Sequence, residues 1–201
     1  MLRRTLLAAC AALTLGSAHA QVEVAGVKYP PSAQLGGSTL VLNGAGVRYK
    51  FVVKVYTAGL YLPRKAETPE AVLAMPGPKR MHVVMQRDID ANELGRLFTR
   101  GMEDNAPREE WSKSIPGTIK LAEVFSARKK LVAGDAFFVD YVPGQGTTIV
   151  VNGKALNDPI KEPEFFASLL RIWLGNSPAD RNLKTALLGQ RVEPPPGSQQ
   201  Q

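Results

Sequence analysis

Three residues near the start of this sequence have the types and spacing to bind an anion: Arg48, Lys54 and Tyr56. All three fall in the segment Val47–Leu62, whose alternation is typical of a β-strand, and they share one side of it. A guanidinium offers five donors in a planar fork that suits a carboxylate or a phenolate, and a phenol hydroxyl can bind the same ligand. The sequence therefore predicts an anion site at Arg48 and Tyr56.

The distance between these two residues along the chain leaves a second interpretation open. In one unbroken strand they would lie roughly 26 Å apart, at about 3.3 Å per residue, and could not share a ligand. They meet only if the chain reverses near Val52, where no Gly, Pro, Asn or Asp indicates a turn. The alternative is that Arg48 is an ordinary exposed arginine on an edge strand.

Composition excludes several other chemistries. The chain has one cysteine, Cys10, and two histidines, His19 and His82, and the first two of these lie in a segment that we expect to be removed. This leaves no disulfide framework, no thiolate nucleophile and no Cys/His zinc site. His82 lies in an alternating segment and is expected to be a surface residue. Gly44-Ala-Gly46 lacks the third glycine of a dinucleotide-binding motif, so no cofactor and no metal are predicted.

Residues 1–20 have the pattern of a secretory signal peptide. Arg3 and Arg4 precede the apolar stretch Thr5–Thr14, and Ala18-His19-Ala20 is a small-x-small cleavage site. The stretch is shorter than the ~20 residues that a spanning helix needs, and no later apolar stretch is as long as that. No transmembrane span is therefore expected after removal of the signal peptide. We predict export, to the periplasm in a Gram-negative cell.

Leu7-Ala8-Ala9-Cys10 raises the alternative of a lipoprotein, although the apolar stretch before the cysteine is short for an export signal. The formal net charge of the whole chain is +7, which is mild for its length. Export and this charge make nucleic acid an unexpected partner. An anionic ligand or a membrane surface would suit the charge only weakly.

The elements that must position Arg48 alternate between strands and helices, which favours one α+β domain over residues 21–190 with a mainly antiparallel sheet. The side of the long strand that runs from Val47 through Phe51 to Thr57 is expected to face the core. A Pro/Gln-rich tail, 191–201, is expected to be disordered. The predicted strands are 38–43, 47–62, 80–88, 135–142 and 147–151, and the predicted helices are 69–74, 90–105, 107–114, 117–127, 163–174 and 179–188.

Two motifs resemble the chalcone isomerase-like family: Leu42-Asn-Gly-Ala-Gly-Val-Arg48 and Lys54-Val-Tyr-Thr-Ala-Gly-Leu-Tyr-Leu62. The plant enzymes of that family carry a similar Gly-Gly-Ala-Gly-x-Arg followed by Lys-Phe-Thr-Ala-x-Gly-Val-Tyr-Leu. The shorter segment between the motifs in this chain is consistent with a tightened hairpin. The resemblance implies an open-faced β-sandwich, a large mainly antiparallel sheet covered by a layer of helices, with a ligand cleft between the layers.

The resemblance also implies where the enzymes' functional residues fall. The family's arginine matches Arg48, and the catalytic threonine falls on Tyr56. The catalytic tyrosine falls at Leu97 or Phe98, where the hydroxyl is missing. An enolate-stabilising site without two of its hydroxyls would lose about 2–4 kcal/mol for each missing donor, which argues against flavonoid chemistry.

Two further positions follow from the resemblance with a one-residue ambiguity. The family's asparagine falls at Asp104 or Asn105, and its late hydroxyl residue at Ala167 or Ser168. The predicted site is completed from this set and comprises Arg48, Tyr56, Lys54, Asn105 and Ser168.

Three functions stay open at this point. The first is a non-catalytic protein that binds a small amphipathic carboxylate or phenolic ligand, such as a fatty acid, through Arg48, as the non-enzymatic branch of the family does. The second is a cofactor-independent intramolecular lyase acting on an enone or phenolic substrate. The third is a cell-envelope interaction protein, which would have a closed sheet–helix interface and an exposed apolar patch instead of a pocket.

Overall fold

The structure is a computed structural model that describes residues 21–192. The predicted signal peptide and residues 193–201 of the predicted tail lie outside the described residues. Eleven strands and five helices are found within residues 21–192. The strands are β1 (Val22–Val24), β2 (Val27–Tyr29), β3 (Ser32–Leu35), β4 (Ser38–Lys50), β5 (Val53–Leu62), β6 (Lys79–Met85), β7 (Ile89–Asp90), β8 (Lys130–Leu131), β9 (Ala136–Val142), β10 (Gly146–Val151) and β11 (Lys154–Ala155).

Seven of these strands form one antiparallel sheet in the order β11-β10-β9-β6-β5-β4-β3. The helices are α1 (Pro69–Ala74), α2 (Ala91–Asn105), α3 (Arg108–Ser126), α4 (Pro163–Leu174) and α5 (Arg181–Leu187). The main core lies between the sheet and the helices, and the β1–β2 hairpin places Tyr29 in a smaller cluster with residues of β4 and β5. The predicted α+β, open-faced architecture is confirmed.

Helix boundaries agree with the sequence where a cap or a breaker defines them. Asp90 caps α2, because its Oδ1 accepts a hydrogen bond of 2.9 Å from the backbone N–H of Glu93. Pro163 occupies the first position of α4, and Gly175 follows its last residue. No helix within residues 21–192 is long and apolar enough to cross a membrane.

The long strand predicted from Val47 to Leu62 is a hairpin. β4 ends at Lys50, β5 begins at Val53, and Phe51 and Val52 form a two-residue loop. The chain therefore reverses near Val52, as the shared site required. β4 also continues through Gly44 and Gly46, with a β-bulge between Leu42 and Gly44.

The expected core face of this segment is wrong in its first half. Tyr49, Phe51 and Val53 are exposed, while Tyr56 and Ala58, assigned to the opposite side, are buried. Residues 49–53, at the tip of the hairpin, are all exposed, so neither side of this segment faces a core. From Val55 onward β5 is buried on both faces, because the helices cover one side and the β1–β2 hairpin the other.

Two other expectations are corrected. The helices predicted at 107–114 and 117–127 are one helix, α3, which continues through Pro116 despite the missing N–H. Its packing is tight at Gly117, where a Cβ would come within 2.6 Å of the Phe165 ring. His82 is not an ordinary surface residue, because it lies half-buried between the rings of Tyr29 and Phe138.

Candidate anion-binding site

Arg48 and Tyr56 are brought together by the β4–β5 hairpin. They are direct cross-strand partners in the register of the two strands. The Cζ atom of Arg48 lies 5.5 Å from the centroid of the Tyr56 ring, within the range of a cation–π contact. The hairpin thus turns two residues that are eight apart in sequence into a single polar group at one end of the sheet.

Helix α5 fixes the strand that carries Arg48. One face of β4 carries Gly44, Gly46 and Arg48, because every second residue of a strand points to the same side. Helix α5 lies directly over the two glycines. A Cβ at Gly44 would overlap the carbonyl oxygen of Ala186, and one at Gly46 would come within 2.6 Å of the Ala186 Cβ. The glycines therefore permit close helix–strand packing, and Arg48 is the first large side chain on that face beyond the helix.

The N-terminus of α5 is tied to β4 next to Arg48. Asp180 caps α5 by accepting a hydrogen bond of 3.0 Å from the N–H of Leu183. Its other oxygen accepts a bond of 2.8 Å from the N–H of Tyr49. The Asp180 carboxylate is thereby engaged with the backbone, and no salt bridge to Arg48 is formed.

The guanidinium of Arg48 has a buried N–H donor without a hydrogen-bond acceptor in the described chain. Its Nε atom is buried and has no hydrogen-bond acceptor within the described chain, and Arg48 takes part in none of the ion pairs of residues 21–192. A buried donor left unpaired costs about 1–3 kcal/mol. An acceptor bound at this point, such as a carboxylate, would remove that cost.

Tyr56 is fully buried beside this cation and is held from the helical layer. The indole N–H of Trp173, on α4, donates a hydrogen bond of 2.9 Å to its hydroxyl oxygen. Burial raises the pKa of Tyr56 to about 12, against the opposing effects of the Arg48 charge and the Trp173 hydrogen bond. At neutral pH the phenol is therefore uncharged, and its hydroxyl, which accepts from Trp173, keeps a hydrogen that it can donate.

Two small pockets meet at Arg48 and Leu97. The inner pocket, about 170 Å³, runs between β5, α2 and the end of α4, and the outer pocket, about 160 Å³, runs between the hairpin and the start of α2. The inner pocket is lined by Arg48, Tyr56, Leu94, Leu97, Phe98, Arg100, Gly101, Asp104, Ile172, Ser177 and Ala179. The outer one is lined by Arg48, Lys50, Val55, Arg87, Asp88, Ile89, Asp90, Glu93 and Leu97.

The interior between sheet and helices is filled next to the inner pocket. Phe98 packs edge to face with Phe125 and Trp173, at centroid distances of 5.7 and 5.5 Å, and Phe137 completes the cluster from the sheet. The pockets at Arg48 therefore lie at the end of the sheet–helix interface and do not continue through it.

Comparison with known proteins identifies the family of this chain. The family model described as chalcone isomerase-like matches residues 21–189. The chain belongs to the chalcone isomerase-like family. A sequence search of curated proteins finds no match.

Among solved structures, this chalcone isomerase-like chain is similar to a fatty-acid binding protein of Arabidopsis thaliana. The two share 14% sequence identity with a TM-score of 0.62, over 81% of this chain and 92% of the plant protein. At this identity the likeness establishes a common fold.

Lys54, Asn105 and Ser168 do not line the two pockets at Arg48. Lys54 is exposed on the hairpin, opposite Tyr49, and lines neither pocket. Asn105 closes the end of α2: its Nδ2 donates to the carbonyl of Gly101 at 2.8 Å, and its Oδ1 accepts from the N–H of Ser177 at 2.7 Å.

Ser168 is buried between α3 and α4 in a separate polar network. Its Oγ lies 2.8 Å from the Oγ of Ser114 and donates to Glu110 at 3.0 Å. Glu110 is held in turn by a bidentate ion pair with Arg171. Asn105 and Ser168 thus join helices to their neighbours, and of the five predicted residues Arg48 and Tyr56 line the pockets.

Two residues that contribute to the site, Leu97 and Trp173, are absent from the set of site residues predicted from the sequence. Leu97 lines both pockets, at one of the two positions where the family resemblance placed the catalytic tyrosine. Trp173, on α4, is buried, and its indole N–H orients Tyr56. A tryptophan on a buried helix face needs an acceptor for its N–H, and this was the available signal.

Proposed function

We propose that this protein is a non-catalytic binding protein for a small amphipathic carboxylate, held at Arg48. The observation that carries the proposal is the buried Nε of Arg48, which has no acceptor in the described chain and adjoins two pockets. Charge-assisted hydrogen bonds from a guanidinium to a carboxylate are among the stronger polar interactions in proteins. The neutral hydroxyl of Tyr56 supplies a second donor beside it.

The shape of the pockets limits the ligand. Each pocket is well below the ~300 Å³ that is the low end for sites of drug-sized ligands. The carboxylate would lie at Arg48 and the apolar part against Leu94, Leu97 and Ile172 of the inner pocket. A long acyl tail has no space in the aromatic interior, so a short chain, or a tail that leaves through the outer pocket, fits best.

The comparisons support the ligand class. The plant protein that shares this fold is described as a fatty-acid binding protein, and a fatty acid is an amphipathic carboxylate. The sequence of residues 1–20 supports an exported protein. On this proposal the protein holds its ligand outside the cytoplasm, in the periplasm of a Gram-negative cell.

Intramolecular lyase activity is the second candidate, and one observation favours it. A fixed cation and a neutral hydroxyl donor, Arg48 and Tyr56, lie side by side at a pocket, and such a pair can stabilise an enolate. A screen of hydroxylated enones for ring closure tests this function. Turnover that is lost in both Arg48→Met and Tyr56→Phe would favour the lyase, and absence of turnover would leave the binding function.

The proposed function is tested by native mass spectrometry of residues 21–201, purified from an exporting host. Arg48→Met removes the cation at nearly constant length, and Arg64→Met, an exposed arginine that lines neither pocket, is the matched control. A carboxylate that co-purifies with the wild type and the control but not with Arg48→Met is the expected result. Equal ligand content in all three proteins would contradict the proposal.

A further inference from the structure

The tip of the β4–β5 hairpin is the most exposed apolar feature of the described chain. Phe51 is 93% exposed and Val52 is 89% exposed. Tyr49 and Val53, on either side of them, are also among the exposed large apolar residues. Large aliphatic and aromatic side chains at the end of a projecting hairpin form a narrow, convex apolar surface, which we call the hairpin tip (residues 49–53).

The backbone of the hairpin tip is held in an unfavourable conformation. Phe51 has a φ of +56°, in the left-handed region. Two-residue hairpin loops place Gly, Asn or Asp at positions of positive φ, because a larger side chain clashes with the backbone there. A phenylalanine at this position adds backbone strain to the cost of an exposed ring. Strain of this kind is concentrated at functional positions.

Cationic side chains lie on either side of Phe51 and Val52 in the hairpin. Lys50 directly precedes Phe51, and Lys54 directly follows Val53; both lysines are exposed. Neither lysine forms an ion pair with a carboxylate within residues 21–192. The tip therefore presents an apolar end with unpaired positive charge directly behind it.

We propose that the hairpin tip inserts into the surface of an anionic phospholipid bilayer. Phe51 and Val52 enter the boundary between headgroups and acyl chains, and Lys50 and Lys54 lie at the level of the lipid phosphates. A stable protein interface needs ~800 Å² from each partner and a complementary surface. A two-residue convex tip offers neither, whereas a fluid bilayer needs no preformed complement.

The hairpin tip adjoins the outer pocket, so membrane insertion would bring the ligand site close to the bilayer. Lys50 lines the outer pocket together with Arg48, so the bilayer surface would lie at the mouth of that pocket. An amphipathic carboxylate could then pass between membrane and site without crossing water. This consequence rests on the proposed function, whereas membrane binding itself does not.

The test is co-sedimentation of residues 21–201 with vesicles of phosphatidylcholine alone and of phosphatidylcholine mixed with phosphatidylglycerol. These residues contain both core clusters and the whole sheet. The wild type is expected to bind the mixed vesicles. The double substitution Phe51→Ser with Val52→Ser is expected to weaken binding at least about tenfold, since burial of each apolar side chain is lost.

The matched control is Ile115→Ser with Ile119→Ser, two exposed apolar residues of α3, which should change binding less than about twofold. Phe51→Asn separates folding from binding, because asparagine tolerates positive φ and should keep the turn while binding weakens. Equal binding of wild type and tip variants, or no binding of the wild type to anionic vesicles, would overturn the proposal. Dimerisation that depends on Phe51, measured by ultracentrifugation, would replace the bilayer with a second copy as the partner.

Charge gives an independent readout. Lys50→Gln and Lys54→Gln should each weaken binding to anionic vesicles about fivefold, and added salt should reduce the difference. Lys154→Gln and Lys161→Gln are the controls, because these exposed lysines lie in or next to the strands at the far end of the sheet from β4. Arg48→Met tests the two proposals separately: vesicle binding should persist in a protein that no longer retains its ligand. Loss of vesicle binding in the control lysine variants as well would refute the hairpin tip as the contact.

Discussion

The indole N–H of Trp173 and the hydroxyl of Tyr56 are joined by a buried hydrogen bond of 2.9 Å that connects α4 to β5. The bond holds the phenol in place beneath the guanidinium of Arg48, 5.5 Å from its ring centroid. The helical layer therefore determines the orientation of the second donor in the candidate site, although Tyr56 itself belongs to the sheet.

Tyr56→Phe is expected to lower both stability and ligand affinity. The substitution leaves the buried N–H of Trp173 unpaired, which should reduce the free energy of unfolding by about 1–3 kcal/mol. Ligand affinity should fall because the neutral donor beside Arg48 is lost. Tyr29→Phe is the control, since it removes a comparable buried bond of 2.7 Å to Thr57 on the other face of the sheet. Denaturant unfolding and ligand titration should show a stability loss in both and an affinity loss only in Tyr56→Phe.

Gly44→Ala is expected to disrupt the docking of α5. The new methyl group would overlap the carbonyl oxygen of Ala186 and approach the N–H of Gly189 to 2.9 Å. The neighbouring Asn43 also donates to the carbonyl of Leu187 at 2.7 Å, so the helix cannot move away without breaking that bond. We expect a loss of about 1–3 kcal/mol in unfolding free energy, as for overpacking.

The outcome of this substitution is read by denaturant unfolding, with Gly153→Ala as a comparison. Gly153, unlike Gly44, has a positive φ, of +80°, and a Cβ there meets no atom within 4 Å. Its substitution should therefore cost only the backbone strain. A Gly44→Ala protein that is as stable as the wild type would show that α5 does not depend on the glycine.

Ser168→Ala should affect stability and leave ligand binding unchanged. The Oγ of Ser168 bonds to Ser114 and Glu110 inside the α3–α4 network, away from both pockets. Removal of a typical intramolecular hydrogen bond costs about 1 kcal/mol. Thermal unfolding and ligand titration of the same variant separate the two effects. A marked loss of affinity would extend the candidate site to α4.

Stability is expected to fall as the medium is acidified below about pH 6.5, through His82. Burial between the rings of Tyr29 and Phe138, together with the charge of Arg80, lowers the pKa of His82 to about 4. The unfolded chain has the ordinary value near 6.5 and therefore takes up the proton first. The contribution is complete above about pH 6.5 and is lost as the pH falls toward 4.

Between pH 7 and pH 5 the expected loss is about 1–2 kcal/mol, since each pKa unit corresponds to about 1.4 kcal/mol. His82→Phe keeps an aromatic ring between its neighbours and should have a flatter stability profile over the same range. Denaturant unfolding at several pH values measures both. Identical slopes for the wild type and His82→Phe would contradict the assignment to this histidine.

The sequence predicted the architecture well where local signals agree with tertiary packing. Pro163 and Gly175 define α4, and the Asp90 cap defines the start of α2. Pro116 misled the prediction, because a proline normally ends a helix and here the packing of Gly117 against Phe165 maintains α3. That contact joins residues 48 apart and cannot be found from the local pattern.

The site was only partly predictable for a similar reason. Arg48 and Tyr56 were identified by type, but their meeting depends on a turn at Phe51, a residue that does not favour positive φ. Local rules fail most often where function imposes a residue that folding alone would not select. Asn105 and Ser168 were predicted from the family resemblance. Their hydrogen bonds to Ser177 and Glu110 can be predicted only if it is known which segments pack against each other.

We propose above that Arg48 binds the head group of an amphipathic carboxylate. Its most direct test is calorimetric titration of residues 21–201 with hexanoate, decanoate and palmitate, for the wild type, Arg48→Met and the control Arg64→Met. We expect binding by the wild type and the control, with at least a tenfold loss of affinity in Arg48→Met. Arg48→Met should remain folded and at least as stable as the wild type, because it removes an unpaired buried donor. Equal affinity of Arg48→Met and the wild type for these carboxylates would show that Arg48 does not bind the head group.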